Sequence, residues 1–187
     1  MLQMLELGAT IFGLLQGLLV LLNKRSNWLF FIAQMICLLA FSWQNKLYGD
    51  VLNSTIYLFF GIIGFICWSS DNGNKKITAC NKKEKAIYVL IILSATLLLN
   101  ISLKNTQDPL PLIDSFTTTS SMVATVYMVL KKIDTWFIWF VNDIVYVAEY
   151  GLLDTPAYYL IGLNLIWAAM AVCSYFYWKK TMKGYQK

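Results

Sequence analysis

The residues best suited to chemistry lie in one apolar stretch, residues 135–150, which reads TWFIWFVNDIVYVAEY. Five of its side chains recur at i, i+3, i+7, i+10 and i+14 along one stripe of a helix: Trp136, Trp139, Asp143, Tyr146 and Tyr150. Aromatic faces attract a cation and a carboxylate balances its charge, so this stripe could hold a flat cationic ring. The alternative is a packing stripe below an interfacial tryptophan belt. Asp143 lies about 10 Å along the helix axis from Trp136, which is deep for that alternative.

Further polar side chains interrupt other apolar stretches of the sequence. Polar groups at membrane depth are costly, and they either line a cavity or join helices. We place in this class, as substrate-binding candidates, Asn142, Gln34, Asn53, Tyr57, Asn164 and Thr118. Two alternatives stay open near Thr118: Asp114 could be a helix N-cap after Pro111, and the threonines could bond back to their own helix. Glu149 is expected near the outer interface and solvated.

The composition indicates that the elements around these residues are membrane-spanning helices. The 187 residues are 58% hydrophobic and only 13% charged, whereas soluble domains carry roughly 25% charged residues. This excludes soluble enzymes and nucleic-acid binders. With no histidine among the residues, a His-ligated metal or a His general base is impossible. The four cysteines form no CxxC pair and are expected to be buried thiols, so the sequence predicts neither metal nor cofactor.

Seven apolar segments are near the roughly 20 residues that a helix needs to span a bilayer. They cover about Met4–Leu22, Trp28–Gln44, Tyr48–Trp68, Ala86–Leu103, Leu112–Leu130, Trp136–Leu153 and Pro156–Trp178. Only residues 69–85 form a long polar, lysine-rich connection. The sequence therefore predicts an all-α integral membrane protein with seven transmembrane helices.

Charge patterning predicts how these helices are oriented. With seven spans, thirteen of the fifteen Lys and Arg residues fall on one side, and only Lys46 and Lys104 fall on the other. By the positive-inside rule the N-terminus is outside and the C-terminus is cytoplasmic.

The sequence also contains an internal repeat. At an offset of 108, LNKRSNW at residues 22–28 overlies LKKIDTW at residues 130–136, and Gln34 overlies Asn142. At an offset of 110, Tyr57 overlies Trp167 and Trp68 overlies Trp178. We predict a 3+1+3 parallel repeat, with three-helix repeats at 1–68 and 111–187 and a loop and linker helix at 69–110.

These motifs resemble the PnuC family of bacterial vitamin transporters. The resemblance is carried by Asp114-Ser-Phe-Thr-Thr, by Trp136-x2-Trp139-x3-Asp143, by Tyr48, Gly64 and Trp68, and by Trp178. It implies a fold similar to full-length SWEET transporters, often as a homotrimer in the bacterial inner membrane. It also implies facilitated diffusion of nicotinamide riboside or a related vitamin, trapped by a cytoplasmic kinase. The aspartate form of the double-Trp motif is common in the thiamine branch, whereas nicotinamide riboside members commonly carry Gln and Asn at the positions of Ser54 and Gly61.

Other functions remain open at this stage. The substrate could instead be a deoxynucleoside or riboflavin. An integral membrane enzyme is disfavoured because histidine and closely paired carboxylates are absent from the sequence. A structural or sensory membrane protein without transport is the third possibility.

Overall fold

The computed structural model describes residues 2–44, 48–70, 76–106, 108, 110–152 and 158–184. These residues form seven α-helices: α1 Leu2–Leu21, α2 Asn27–Gln44, α3 Tyr48–Ser70, α4 Lys82–Leu103, α5 Pro111–Val129, α6 Thr135–Gly151 and α7 Tyr158–Gly184. Within that part of the chain, β structure is limited to one isolated bridge between Thr78 and Lys132. The predicted seven-helix, all-α fold is confirmed.

Two helix ends lie four or more residues from the ends of the apolar segments predicted from the sequence. α4 starts four residues early because Asn81 and Glu84 form a capping box: the Asn81 side chain accepts from the Glu84 N–H at 2.9 Å, and Glu84 accepts from the Asn81 N–H at 2.7 Å. α7 continues to Gly184 beyond Trp178, since Lys and Met are good helix formers. Polar lysines hide both ends from a search for apolar runs.

The described chain divides into two compact units, residues 1–75 and 76–187. In the first unit, α2 packs against both α1 and α3. Its centre is the fully buried Trp28, whose ring meets Trp68 edge-on with centroids 5.7 Å apart. Gly64 lies against that ring so closely that a Cβ there would overlap it. The predicted boundaries at residues 68 and 110 stay a prediction.

In the second unit, consecutive helices pack in order, α4 on α5, α5 on α6 and α6 on α7. The core cluster joins Tyr88 and Ile92 of α4 to Ala124 of α5 and Ile138 of α6. On the α6–α7 side, Trp136 meets Trp178 edge-on with centroids 5.1 Å apart. Aromatic pairs favour this T-shaped geometry, so one tryptophan pair organises each unit.

Other features recur in both units at the repeat offset. The two non-glycine residues with positive φ in the described chain are Asn23, at 53°, and Lys131, at 54°, and they lie 108 positions apart. Asn23 lies in the turn before α2, which carries Trp28, and Lys131 lies in the turn before α6, which carries Trp136. This shared turn and the shared tryptophan pairs support the predicted repeat.

A polar tie holds the segment before α4 to the turn between α5 and α6. The Thr78 N–H donates to Lys131 O at 3.1 Å, and the Ile133 N–H donates to Thr78 O at 2.9 Å. The Asp134 carboxylate accepts from the Cys80 N–H at 2.6 Å and pairs with Lys85 Nζ at 3.0 Å. We call these contacts the loop tie. They close the lysine-rich end of the second unit without any disulfide.

The loop tie sets the ionisation of its two buried acids. Burial alone would raise the pKa of Asp134, but the Cys80 N–H and the Lys85 ammonium outweigh it and hold that pKa below its usual range. The same carboxylate adds to burial in raising the pKa of the Cys80 thiol to about 12. Cys80 is buried and inert, as expected, but Cys173 is exposed and the expectation of a buried thiol there is wrong.

The exterior of the helices is apolar. On α4 the exposed side chains include Leu90, Leu93, Leu97, Leu98 and Ile101. By length and composition, two described helices could cross a membrane, Lys82–Leu103 and Ile161–Gly184. Shorter apolar helices cover Leu7–Leu21, Asn27–Ala40 and Asn53–Ser69. Exposed apolar surface of this extent marks contact with lipid or with another protein.

Replacing Gly64 by Ala tests the tryptophan pair of the first unit. The added methyl would overlap the buried Trp28 ring, and overpacking of this kind costs roughly 1–3 kcal/mol. We expect the thermal midpoint in detergent, followed by tryptophan fluorescence, to fall by roughly 2–12 °C. Gly162→Ala is the matched control because no described atom lies within 4 Å of a Cβ there. Equal midpoints for the two variants would contradict the close Gly64–Trp28 contact.

Candidate functional site

α6 has two faces of different chemistry. The outward face carries Phe137, Phe140 and Ile144, which are exposed. The inward face carries Trp136, Asn142 and Asp143, which are buried, with Trp139 half-buried beside them. From Trp136 to Asp143 the predicted stripe is therefore turned inward, and the side chain of Asp143 is withdrawn from the exterior.

Asp143 is the most unusual residue of this face. It is 2% exposed, yet among the described residues no side chain forms a hydrogen bond or an ion pair with its carboxyl group. A buried carboxyl group without a partner is expensive, and such groups are rare outside functional sites. Trp139 lies one turn earlier on the same face and packs against the core cluster of the second unit.

The repeat gives this carboxyl group an internal comparison. The position equivalent to Asp143 in the first unit, at the offset of 108, is Met35, which is 5% exposed. The same place in the same kind of three-helix arrangement is thus occupied by an apolar side chain. Packing of the first unit therefore does not require an acid at this position.

Asn142 is fully buried and contacts α5 through Ser120. Ser120 Oγ lies 2.6 Å from both Asn142 Oδ1 and Phe116 O. One hydroxyl proton cannot serve both oxygens, and Asn142 Nδ2 has no partner among the described atoms. Exchanging the two amide atoms resolves both problems at once, because Nδ2 then donates to Ser120 while Ser120 donates to Phe116. In that orientation the carbonyl oxygen of Asn142 is left as a buried acceptor.

The remaining candidates of the second unit lie on three helices. Trp136 is buried on α6 against Trp178, so it contributes to the core as well as to the stripe. Tyr146 is half-buried on α6, and Asn164 is buried on α7. Thr118 is half-buried on α5 and donates to Asp114 Oδ1 at 3.4 Å. The side chain of Tyr150 lies outside the described residues.

Three candidates lie in the first unit. Gln34 is buried on α2 against Gly13, where a Cβ would be 2.6 Å from its Nε2. Asn53 is half-buried on α3, and its Oδ1 has no partner among the described atoms. Tyr57 lies in an aromatic group, 5.9 Å from Phe31 and 6.5 Å from Phe60 between ring centroids. Their roles in binding stay predictions.

A polar contact between α5 and Glu149 of α6 was missed in the sequence, and so was the N-cap of α5. The fully buried Thr117 donates to Glu149 Oε2 at 3.2 Å, so Glu149 is half-buried and not solvated as expected. The N-cap of α5 is Leu110, and Asp114 is therefore not the cap. A hydroxyl that can bond back to its own helix gives no signal in the sequence for a second partner on another helix. Within the described residues, no group of three metal-ligating side chains occurs.

Nearly the whole chain is similar to known proteins. The family model described as nicotinamide mononucleotide transporter matches residues 3–180. A protein from Neisseria mucosa named nicotinamide riboside transporter PnuC is 24% identical, over 94% of this chain and 72% of that protein. A protein of the same name from Haemophilus influenzae is also 24% identical, over 91% of this chain and 77% of that protein.

A solved structure shares the fold. The crystal structure titled vitamin B3 transporter PnuC superposes with a TM-score of 0.77 at 22% identity, and the match covers 96% of this chain and 82% of that one. At this identity the likeness shows the fold alone. The match of the family model over nearly the whole length confirms the resemblance carried by the double-Trp motif. The chain belongs to the PnuC, or nicotinamide mononucleotide transporter, family of multi-pass membrane transporters.

Proposed function

We propose that this protein mediates facilitated diffusion of a vitamin with a cationic ring, and that nicotinamide riboside is its substrate. The observation that carries the proposal is the buried carboxyl group of Asp143, which no described side chain pairs with and which lies one turn from Trp139. The names of the two relatives support nicotinamide riboside. Thiamine is the second candidate because its ring also bears a permanent positive charge.

A cationic substrate supplies the partner that Asp143 lacks. Removing a carboxylate from water without a partner costs several kcal/mol, and an opposite charge at close range restores much of that cost. Met35 fills the equivalent place in the first unit, which supports a role for the acid beyond packing. A neutral nucleoside or riboflavin would leave the carboxylate unpaired.

The other side chains of the site complete the proposed binding surface. The substrate ring lies against Trp139, and Trp136 forms the wall at the lysine-rich end. The free amide oxygen of Asn142 accepts a hydrogen bond from a ribose hydroxyl or a carboxamide, and Tyr146 lies one turn further along α6. We propose weaker contributions from Gln34, Asn53, Tyr57, Asn164 and Thr118.

The setting of the transporter is also a proposal. We propose the bacterial inner membrane from the family, and the lysine distribution supports an N-terminus outside and a C-terminus in the cytoplasm. A passive carrier cannot concentrate its substrate, so we propose that a cytoplasmic kinase traps it. We propose a homotrimer as the assembly and no catalytic role for the chain itself.

Substitutions of Asp143 and Trp139 test the site and the ligand class together. Asp143→Asn keeps size and removes charge, and we expect it to weaken binding of nicotinamide riboside by more than tenfold. Trp139→Ala removes a stacking face worth roughly 0.5–2 kcal/mol, or about 2- to 30-fold in affinity. Titration calorimetry on the purified protein with nicotinamide riboside, thiamine, riboflavin and deoxynucleosides measures both effects.

Matched controls lie on the same helix. Glu149→Gln changes a carboxylate that Thr117 already contacts, and Phe140→Ala removes an aromatic ring from the outward face. Both variants should bind nicotinamide riboside with an affinity within about threefold of that of the wild type. A small loss of affinity in Asp143→Asn together with a large loss in Trp139→Ala would indicate that the substrate is a neutral nucleoside. Normal binding by both variants would refute the α6 site.

Reconstituted vesicles test passive transport. Vesicles loaded with nicotinamide riboside kinase and ATP should accumulate labelled nicotinamide riboside well above the external concentration. Vesicles without the kinase should only equilibrate, because no energy source is coupled to the carrier. Accumulation in kinase-free vesicles without an ion gradient would contradict facilitated diffusion.

Cysteines at the two ends of α4 test the orientation. Lys83→Cys and Asn105→Cys lie about 33 Å apart along one helix axis and are both exposed. In a background without the four native cysteines, a membrane-impermeant maleimide added to intact cells should label position 105 and spare position 83. Permeabilised cells, in which both positions should react, are the control. The reverse labelling would overturn the orientation.

A further inference from the structure

The second unit contains a cleft that shares only Trp136 with the proposed transport site. Its volume is about 410 Å³, which is within the range of small-molecule sites. α6 forms the floor through Trp136, with Ala171 of α7 beside it. The walls are aromatic or aliphatic and consist of Tyr88, Phe137, Phe140, Val172 and Tyr175. The polar residues that line the cleft are Lys85 and Asp134.

The walls of the cleft are outward-facing. Phe137 is 62% exposed and Val172 is 41% exposed, so this cleft opens on the exterior of the helices and not on the inward face that carries Asp143. α4, which lines the cleft through Lys85 and Tyr88, also carries exposed leucines. In a multi-pass membrane protein, such a surface faces acyl chains.

The mouth of the cleft carries excess positive charge. Asp134 is already neutralised by Lys85 at 3.0 Å, and Glu84 by Lys132 at 2.7 Å. Lys82 lies one helical turn before Lys85, and Lys179 lies one turn after Tyr175, and both Lys85 and Tyr175 line the cleft. Neither Lys82 nor Lys179 has a carboxylate partner within the described chain. Lys179 Nζ lies 5.4 Å from the ring centroid of Tyr175, which lines the cleft.

From this arrangement we propose that the cleft between α4, α6 and α7 binds an anionic phospholipid. The phosphate lies among Lys82, Lys179 and their neighbours at the lysine-rich end, and an acyl chain lies along Phe137, Phe140 and Val172. Basic pockets between transmembrane helices are suited to anionic headgroups, since each nearby Lys adds to the attraction. A lipid without net charge would fill the apolar part of the cleft but would gain less from the nearby lysines. The proposal does not depend on the identity of the transported vitamin.

Native mass spectrometry with phosphatidylglycerol and phosphatidylcholine of matched acyl chains tests the headgroup. The wild type in neutral detergent should bind phosphatidylglycerol more tightly than phosphatidylcholine. Lys82→Gln and Lys179→Gln should each weaken phosphatidylglycerol binding by about fivefold and leave phosphatidylcholine binding unchanged. Lys24→Gln, at an exposed position of the first unit, is the control and should have no effect. An unchanged headgroup preference in the double variant would overturn the proposal.

A second pair of variants tests the cleft itself. Val172→Trp fills the cleft and should weaken phosphatidylglycerol binding more than tenfold, whereas Ile166→Trp on the same helix lies outside the lining and should not. Both positions are exposed, so both variants should keep the wild-type thermal midpoint. Equal losses in the two variants would overturn the assignment to the cleft.

Two other occupants are distinguished in the same experiment. Glycerol 3-phosphate should not displace the lipid at millimolar concentration, because it lacks the acyl chains; displacement would indicate a free phosphate site and overturn the lipid assignment. If Val172→Trp lowers the oligomer mass and leaves lipid binding unchanged, a second copy of the chain covers the cleft. That result would also overturn the proposal.

Discussion

The constraint on which the structure depends is that polar groups in hydrocarbon must find their partners inside the protein. Helices satisfy the backbone, and α5 shows how its many hydroxyl groups are satisfied as well. Ser115, Thr119 and Thr125 each donate to a carbonyl four residues earlier. Thr117 and Ser120 also contact α6, at Glu149 and Asn142. α5 therefore provides polar contacts of the second unit at little cost in free energy. Asp143 stands out as an acid that the described side chains leave unpaired.

The two units use one structural plan with different polar chemistry. Each has a positive-φ turn and an edge-on tryptophan pair. At the repeat offsets, buried Ser54 corresponds to buried Asn164 and Gly64 to Ser174. At these positions the two units accept different side chains, because neighbouring volume and hydrogen bonds can be adjusted. Asp143 is an acid present in one unit only, which supports the proposal that it binds a ligand.

Much of the fold could be predicted from the sequence because hydrocarbon imposes a simple rule on helix length and composition. The segment predicted at Trp136–Leu153 and α6 at Thr135–Gly151 differ little. The start of α4 was missed because its capping box lies among lysines. The contact of Ser120 with Asn142 was missed because it joins residues on different helices, and the half-burial of Glu149 depends on Thr117 of α5. Periodicity reports the face on which a side chain lies, but only packing decides what it meets.

The loop tie connects the lysine-rich end of the second unit to the candidate site through one rigid helix. α6 begins directly after Asp134, whose carboxylate is held by the Cys80 N–H and Lys85. In the first turn, the Thr135 hydroxyl donates to Ala124 O at 2.7 Å and Trp136 packs on Trp178. Successive residues of a helix are rotated by a fixed angle, so anchoring Thr135 and Trp136 fixes the direction of every later side chain. Trp139 and Asp143 are thereby held facing inward before any substrate arrives, and such preorganisation lowers the entropic cost of binding.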